Sequence, residues 1–139
     1  MITANDLYIY FRPHEGARRG WLVANRPELK PAPTEYEQQL FQKGRAHLKR
    51  GMPAQATVAL EKAKRREPEK ASIREALGIA YFRVRRWSEA EAEFRKLVEL
   101  SPVDPFAHRA LARTLDRLGR PEDAAQHHAL ARALDPSTD

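Results

Sequence analysis

The 139-residue chain has no cysteine, which removes disulfides, thiolate metal sites and cysteine nucleophiles together. Aromatic residues make up only 8% of it, so a core has to be built mainly from alanine and leucine with a few large anchors. No apolar run approaches the roughly 20 residues needed to cross a bilayer. Met1 to Asp6 lacks the basic and apolar regions of a secretion signal, and a cytoplasmic location is the default expectation. Glycine-rich phosphate loops and nucleophile elbows are missing as well. Gly16 and Gly20 have no strand–loop–helix context around them. No His-x-x-x-His pair occurs: His127 and His128 are adjacent and would diverge on a helix, His47 and His108 are far apart, and His14 stands alone. The sequence therefore predicts no catalytic residues, no metal site and no cofactor, and excludes an enzyme of any familiar pattern.

What is present is charge and repetition. Charged residues make up 32% of the chain, hydrophobic ones 42%, and the net charge is +6, a composition that suits an ordered protein with a mild preference for acidic partners. Pro68, Pro102 and Pro136 are evenly spaced, 34 residues apart, and Ala56, Ala90 and Ala124 keep the same interval. Gly44, Gly78 and Ala112 do so too, with Tyr81 matched by Leu115 and Leu60 by Phe94. Agreement of several registers on one period marks a repeat architecture.

Each repeat reads as two helices. First helices are predicted over Thr34 to Lys49, Lys70 to Val84 and Asp104 to Leu118, and second helices over Pro53 to Arg66, Ser88 to Leu100 and Pro121 to Leu134. Pro53 and Pro121 suit a first helical turn, where the missing N–H is no loss. Ser88 reads as an N-cap, with Glu91 completing a capping box. Gly51 and Gly119 supply tight turns inside the pairs. Gly44, Gly78 and Ala112 are expected to face Ala56, Ala90 and Ala124, letting the backbones approach, with the larger side chains beside them.

Residues 1–33 lack helical period. Leu7-Tyr8-Ile9-Tyr10-Phe11 and Trp21-Leu22-Val23 are strand-favouring runs around Pro13, Gly16 and Gly20, so a short β-hairpin is one reading of this leader. Pro27, Pro31 and Pro33 make a stiff connection into the repeats. The leader reads as an irregular cap on the first helix pair, or alternatively as a segment lying along a groove.

In its 34-residue period and its small–aromatic–small–aromatic–proline order (Gly78, Tyr81, Ala90, Phe94 and Pro102, with Trp87 at the turn), the chain resembles the tetratricopeptide repeat (TPR) family. The units are Glu37–Lys70, Ala71–Asp104 and Pro105–Thr138. Leu97, Lys43, His47 and His128 depart from the pattern. The resemblance implies an all-α, right-handed solenoid of three helix pairs over residues 34–139, following the leader, and a scaffold or adaptor that binds another protein. It also implies that first helices line a concave groove. By repeat position that groove displays Phe41, Arg45 and Lys49, then Glu75, Ala76, Ile79, Phe82 and Arg83, then Phe106, Arg109, Ala110, Arg113 and Arg117.

Arg109, Arg113 and Arg117 are four residues apart and share a helical face, while second helices carry acids such as Glu61, Glu89, Glu93, Glu99, Glu122 and Asp123. A partner peptide with carboxylates and an apolar anchor is expected, the peptide-binding set being Phe41, Arg45, Lys49, Ile79, Phe82, Arg83, Phe106, Arg109, Arg113 and Arg117. Family members that clamp chaperone C-terminal carboxylates use Lys, Arg and Asn at positions that here hold Phe41, Arg45, Ala76, Phe106 and Ala110, and only Arg45 could serve. Nucleic-acid binding by the basic stripe is the alternative function; the many acidic residues and the lack of an RNA-binding motif argue against it. The last helix leaves Ala124, Leu130, Ala131 and Leu134 as an apolar stripe, through which, or through an exchanged leader, a homodimer could form.

Overall fold

The computed structural model describes residues 33–138; the expected leader hairpin lies outside them. Six α-helices follow in order: α1 (Glu35–Lys49), α2 (Pro53–Arg66), α3 (Ala71–Arg83), α4 (Trp87–Leu100), α5 (Pro105–Arg117) and α6 (Pro121–Leu134), with a 3-10 turn over Pro136–Thr138. They form three pairs, α1–α2, α3–α4 and α5–α6. Successive pairs meet through α2 against α3 and α4 against α5.

Local chemistry sets the helix ends. Thr34 caps α1 by accepting from the Glu37 N–H at 3.2 Å, and the Glu37 carboxylate accepts from the Thr34 N–H at 3.0 Å. This is a reciprocal capping box, and the hydroxyl and N–H of Thr34 hold the Glu37 carboxyl below its usual range. Asp104 caps α5 by accepting from the Phe106 N–H at 3.0 Å. The box expected at Ser88 and Glu91 is not formed. Helix α4 starts one residue earlier at Trp87, after Arg86, because Trp87 occupies the repeat position of Pro53 and Pro121. Glu91 instead accepts from Arg95 at 2.8 Å and Arg120 at 3.0 Å.

The turns inside the three pairs share one geometry. Gly51, Arg85 and Gly119 have φ of 71°, 64° and 75°. The following N–H groups of Met52, Arg86 and Arg120 donate to the carbonyls of His47, Tyr81 and Leu115 at 2.8, 2.9 and 2.9 Å. This left-handed closure of a helix end favours glycine, and Arg85 adopts it with a full side chain.

The small residues of the first helices lie directly against the large residues of the second. A methyl group at Gly44 would stand 2.5 Å from Leu60 Cγ, and one at Gly78 would stand 2.5 Å from Phe94 Cε1. Large side chains thus fill the space that the two glycines leave, and Ala56, Ala90 and Ala124 are themselves wholly buried. Leu60, Leu77, Phe94, Leu97, Leu111 and Leu115 fill one continuous core. Leu97, larger than the family pattern prefers, is 1% exposed within it. In α6, Ala124 and Ala131 are buried but Leu130 and Leu134 are exposed, so the apolar stripe divides between interior and surface.

Polar groups bind the first two pairs together. Glu93, nearly buried on α4, accepts from Lys64 of α2 and Arg74 of α3, both at 2.9 Å. Arg74 also donates to the Pro68 carbonyl at 2.9 Å. Burial lowers the Lys64 ammonium, yet its bonds to Glu93 and Glu61 outweigh that and leave it raised. The Tyr81 hydroxyl donates to Glu61, and burial together with that bond pushes its pKa up.

Candidate functional site

The residues that the repeat assigns to a groove all come from α1, α3 and α5, where i, i+4 spacing brings them to one side of each helix. They surround two adjoining hollows that share Ile79. The first, of about 400 Å³, is bordered by Phe41, Arg45, Leu48, Lys49, Ser72, Glu75, Ala76 and Ile79. The second, of about 350 Å³, is bordered by Ile79, Phe82, Arg83, Phe94, Phe106, Arg109, Ala110 and Arg113. Thus Phe41, Arg45 and Lys49 stand at one end, Ile79 in the middle, and Phe82, Arg83, Phe106, Arg109 and Arg113 at the other. Arg117 lies beyond the second hollow, beside Phe82 and Trp87.

Aromatic rings lie beneath three of these cations, Arg45, Arg113 and Arg117. The Arg45 guanidinium lies 5.6 Å from the Phe41 ring centre. Arg113 and Arg117 both lie 5.9 Å from the Phe82 ring, and Arg117 is 5.4 Å from Trp87. Phe82 meets Trp87 edge-on at 4.8 Å, and Phe94 meets Phe106 in the same manner at 6.4 Å. Cations at such distances are attracted to the ring face. Arg83 donates to the Leu48 carbonyl at 3.2 Å, tying α3 to the end of α1.

Ion pairing is uneven among the cations, and Lys62, Arg65 and Arg132 on second helices lack a carboxylate partner among the described residues just as several groove cations do. Lys64, Arg74, Arg86, Arg95, Lys96 and Arg120 each contact at least one carboxylate at 3.2 Å or less. Among the described residues Arg45, Lys49, Arg83, Arg113 and Arg117 make no such ion pair. The acid on this side is Glu75, half-buried in the first hollow. Burial pushes its carboxyl up, Asp104 adds to the effect, and Arg45 opposes it.

Sequence reasoning missed three features of this region. Phe94, part of the repeat pattern, borders the second hollow. Trp87, at the turn of the second unit, lies 5.4 Å from Arg117. His108 is buried, with Nε2 2.7 Å from the Pro102 carbonyl and Nδ1 3.2 Å from Nδ1 of His127. Since a carbonyl only accepts, His108 Nε2 carries the proton. Among the described residues no group of three or more His, Asp or Glu is placed to hold a metal ion, and no helix is long and apolar enough to cross a membrane.

The profile of the tetratricopeptide repeat family matches residues 41–105 and again 76–138. The chain belongs to that family. Among solved structures, the AMB-1 form of MamA is similar at 26% identity with a TM-score of 0.70, over 75% of this chain and 62% of that one. The repeats thus span less than two thirds of that relative. The first TPR domain of Spaghetti (RPAP3), bound to the HSP90 peptide SRMEEVD, matches at 21% identity and a TM-score of 0.70, over 75% of this chain and 82% of that one. The second TPR domain of Spaghetti, bound to the same peptide, matches at 17% and 0.68, over 73% and 94%. At those identities the likeness is one of fold. No curated protein matches the chain.

Proposed function

We propose that this TPR domain is a non-catalytic protein-interaction module that binds an acidic, partly apolar peptide segment along the face formed by α1, α3 and α5. The observation that carries the reading is the set of arginines without carboxylate partners, seated on aromatic rings, beside a hollow lined by Ile79, Phe82 and Phe106. A guanidinium is weakly hydrated and presents a planar fork to a carboxylate. A large apolar side chain in the second hollow would supply most of the buried area. The acidic peptide in the Spaghetti structure is compatible with this class of ligand. The carboxylate clamp itself does not transfer, because Phe41, Ala76, Phe106 and Ala110 offer no donor side chain.

Arg113→Glu is the test. An acidic peptide pool that binds the parent should bind this variant at least roughly tenfold more weakly, the order expected for losing a charged hydrogen bond. Ile79→Ala, which trims the hollow and touches no cation–ring contact, should weaken binding without changing its salt dependence. Equal binding by parent and Arg113→Glu, or tighter binding of single-stranded RNA than of any acidic peptide, would overturn the reading.

A further inference from the structure

The acidic ligand proposed above leaves Glu75 unexplained, because a half-buried carboxylate in a basic groove repels the groups that the arginines attract. Glu75 has no hydrogen bond or ion pair among the described residues. The nearby Arg45 lies over the Phe41 ring and does not close on it. Asp104 at the start of α5 adds a second negative charge, with one oxygen already engaged by the Phe106 N–H. Glu75 and Asp104 therefore make an island of negative potential at the junction of α3 and α5, on a face otherwise lined with cations.

We propose, on the strength of that peptide-groove reading, that Glu75 is a specificity-determining residue: it receives a lysine or arginine side chain of the ligand, on the opposite side of the apolar anchor from the ligand's carboxylate. The spacing follows from α3. Glu75 and Arg83 are eight residues apart on one helix, roughly 12 Å at 1.5 Å per residue. An extended peptide advances about 3.3 Å per residue, so some three to four residues span the interval. Ile79 and Phe82 lie between the two poles and border the second hollow. The preferred ligand is thus a short extended segment with a basic residue, an apolar residue, and an acidic residue three to four positions from the basic one. A uniformly acidic tail would place a carboxylate against Glu75 and be disfavoured.

A displayed library of random nonapeptides, selected on the parent protein and on Glu75→Gln, tests the assignment. Glu75→Gln keeps the side-chain shape and removes a desolvated charge, so it should fold as the parent does. Selection on the parent should enrich lysine or arginine three to four positions from glutamate or aspartate, with a large apolar residue between them. Selection on Glu75→Gln should lose the basic preference and keep the other two. Replacing the basic residue of a selected peptide by norleucine should weaken binding to the parent roughly tenfold and leave binding to Glu75→Gln unchanged. Peptides that are acidic and apolar, but show the same basic content on both proteins, would overturn the role of Glu75 and leave the groove reading standing. A selection that enriches nothing, or peptides whose binding survives Arg113→Glu, would sink both.

Discussion

Adding one methyl group at Gly78 tests the packing rule on which the three units are built. On helix propensity alone, Gly78→Ala in a helix interior gains about 1 kcal/mol. The new Cβ would lie 2.5 Å from Phe94 Cε1 and 2.8 Å from Cδ1 and Cζ, well inside van der Waals contact. Phe94 is 1% exposed and meets Phe106 edge-on, so the ring can yield only toward the second hollow that it borders. Overpacking of this kind costs about 1–3 kcal/mol, so after the propensity gain a net loss of up to about 2 kcal/mol is expected. For a repeat domain of this size each kcal/mol lowers the melting temperature by roughly 4–8 °C, measurable by circular dichroism. The third unit already carries a methyl at the matching place, Ala112, and the residue opposite by repeat position is His128. That ring is half-buried and bonded to Asp116 at 2.9 Å. The effect should therefore couple to Phe94: in a double-mutant cycle with Phe94→Leu, part of the Gly78→Ala loss should be recovered, by about 0.5 kcal/mol or more. A Gly78→Ala variant that melts at or above the parent temperature would refute the argument.

Three further outcomes follow from particular contacts. Arg85→Gly should raise stability by up to about 1 kcal/mol, because φ of 64° burdens a side chain and suits glycine; a lower urea midpoint would count against it. Glu93→Ala, which leaves Lys64 and Arg74 facing each other with little water, should cost about 2–4 kcal/mol, whereas Arg120→Ala, which breaks solvent-screened pairs to Glu91 and Asp123, should leave the urea midpoint close to the parent's. Burial, His108 and Arg95 hold His127 below the ordinary imidazole value of about 6.5, against the pull of Asp123. The unfolded chain then binds the proton more readily, so stability is full above about pH 6.5, falls as pH drops through that value, and levels off below the folded pKa. Urea midpoints measured between about pH 8 and pH 5 should depend on pH less in His127→Gln than in the parent, and parallel profiles would reject the assignment.

The helices were legible because the sequence states each of them three times. A proline or glycine at one boundary is ambiguous, but Pro53, Trp87 and Pro121 at a single repeat position are not, and that position alone would have corrected the start of α4. The left-handed Arg85 falls at the repeat position of Gly51 and Gly119, yet its side chain hid the turn from residue-type reasoning. Periodicity also placed Phe41, Ile79, Phe82, Phe106 and the arginines on one side of their helices, since i, i+4 spacing follows from helix geometry. Pairwise chemistry across the chain was not legible. Nothing local to Glu93 says that Lys64 and Arg74, 29 and 19 residues away, converge on it, and the approach of His108 to His127 needs the angle between α5 and α6.

An exposed cation without a carboxylate is weak evidence for a binding site, because water solvates a surface ammonium or guanidinium at little cost. Arg66 over Tyr36 also lies on a ring, but the ring beneath Arg113 and Arg117, Phe82, borders the second hollow as well. With one face of the guanidinium against Phe82 or Trp87, part of its hydration is already displaced, so an arriving carboxylate removes less water and meets a cation held in place. The adjoining hollow supplies a second, uncharged contribution from the same ligand. These two parts respond differently to salt, since exposed charges are screened over about 8–10 Å at physiological ionic strength while burial of an apolar side chain is not. Affinity for a peptide with both features should therefore fall with added salt and then reach a plateau set by the hollow. Ile79→Ala should lower the plateau and keep the salt-dependent part, whereas Phe82→Ala should weaken both, because that ring borders the hollow and underlies Arg113 and Arg117. A polyanion such as RNA, held by phosphates alone, would instead lose affinity steadily as the logarithm of salt concentration rises. Such a line with no plateau in the parent would identify the basic stripe as a phosphate track and dismiss the peptide groove.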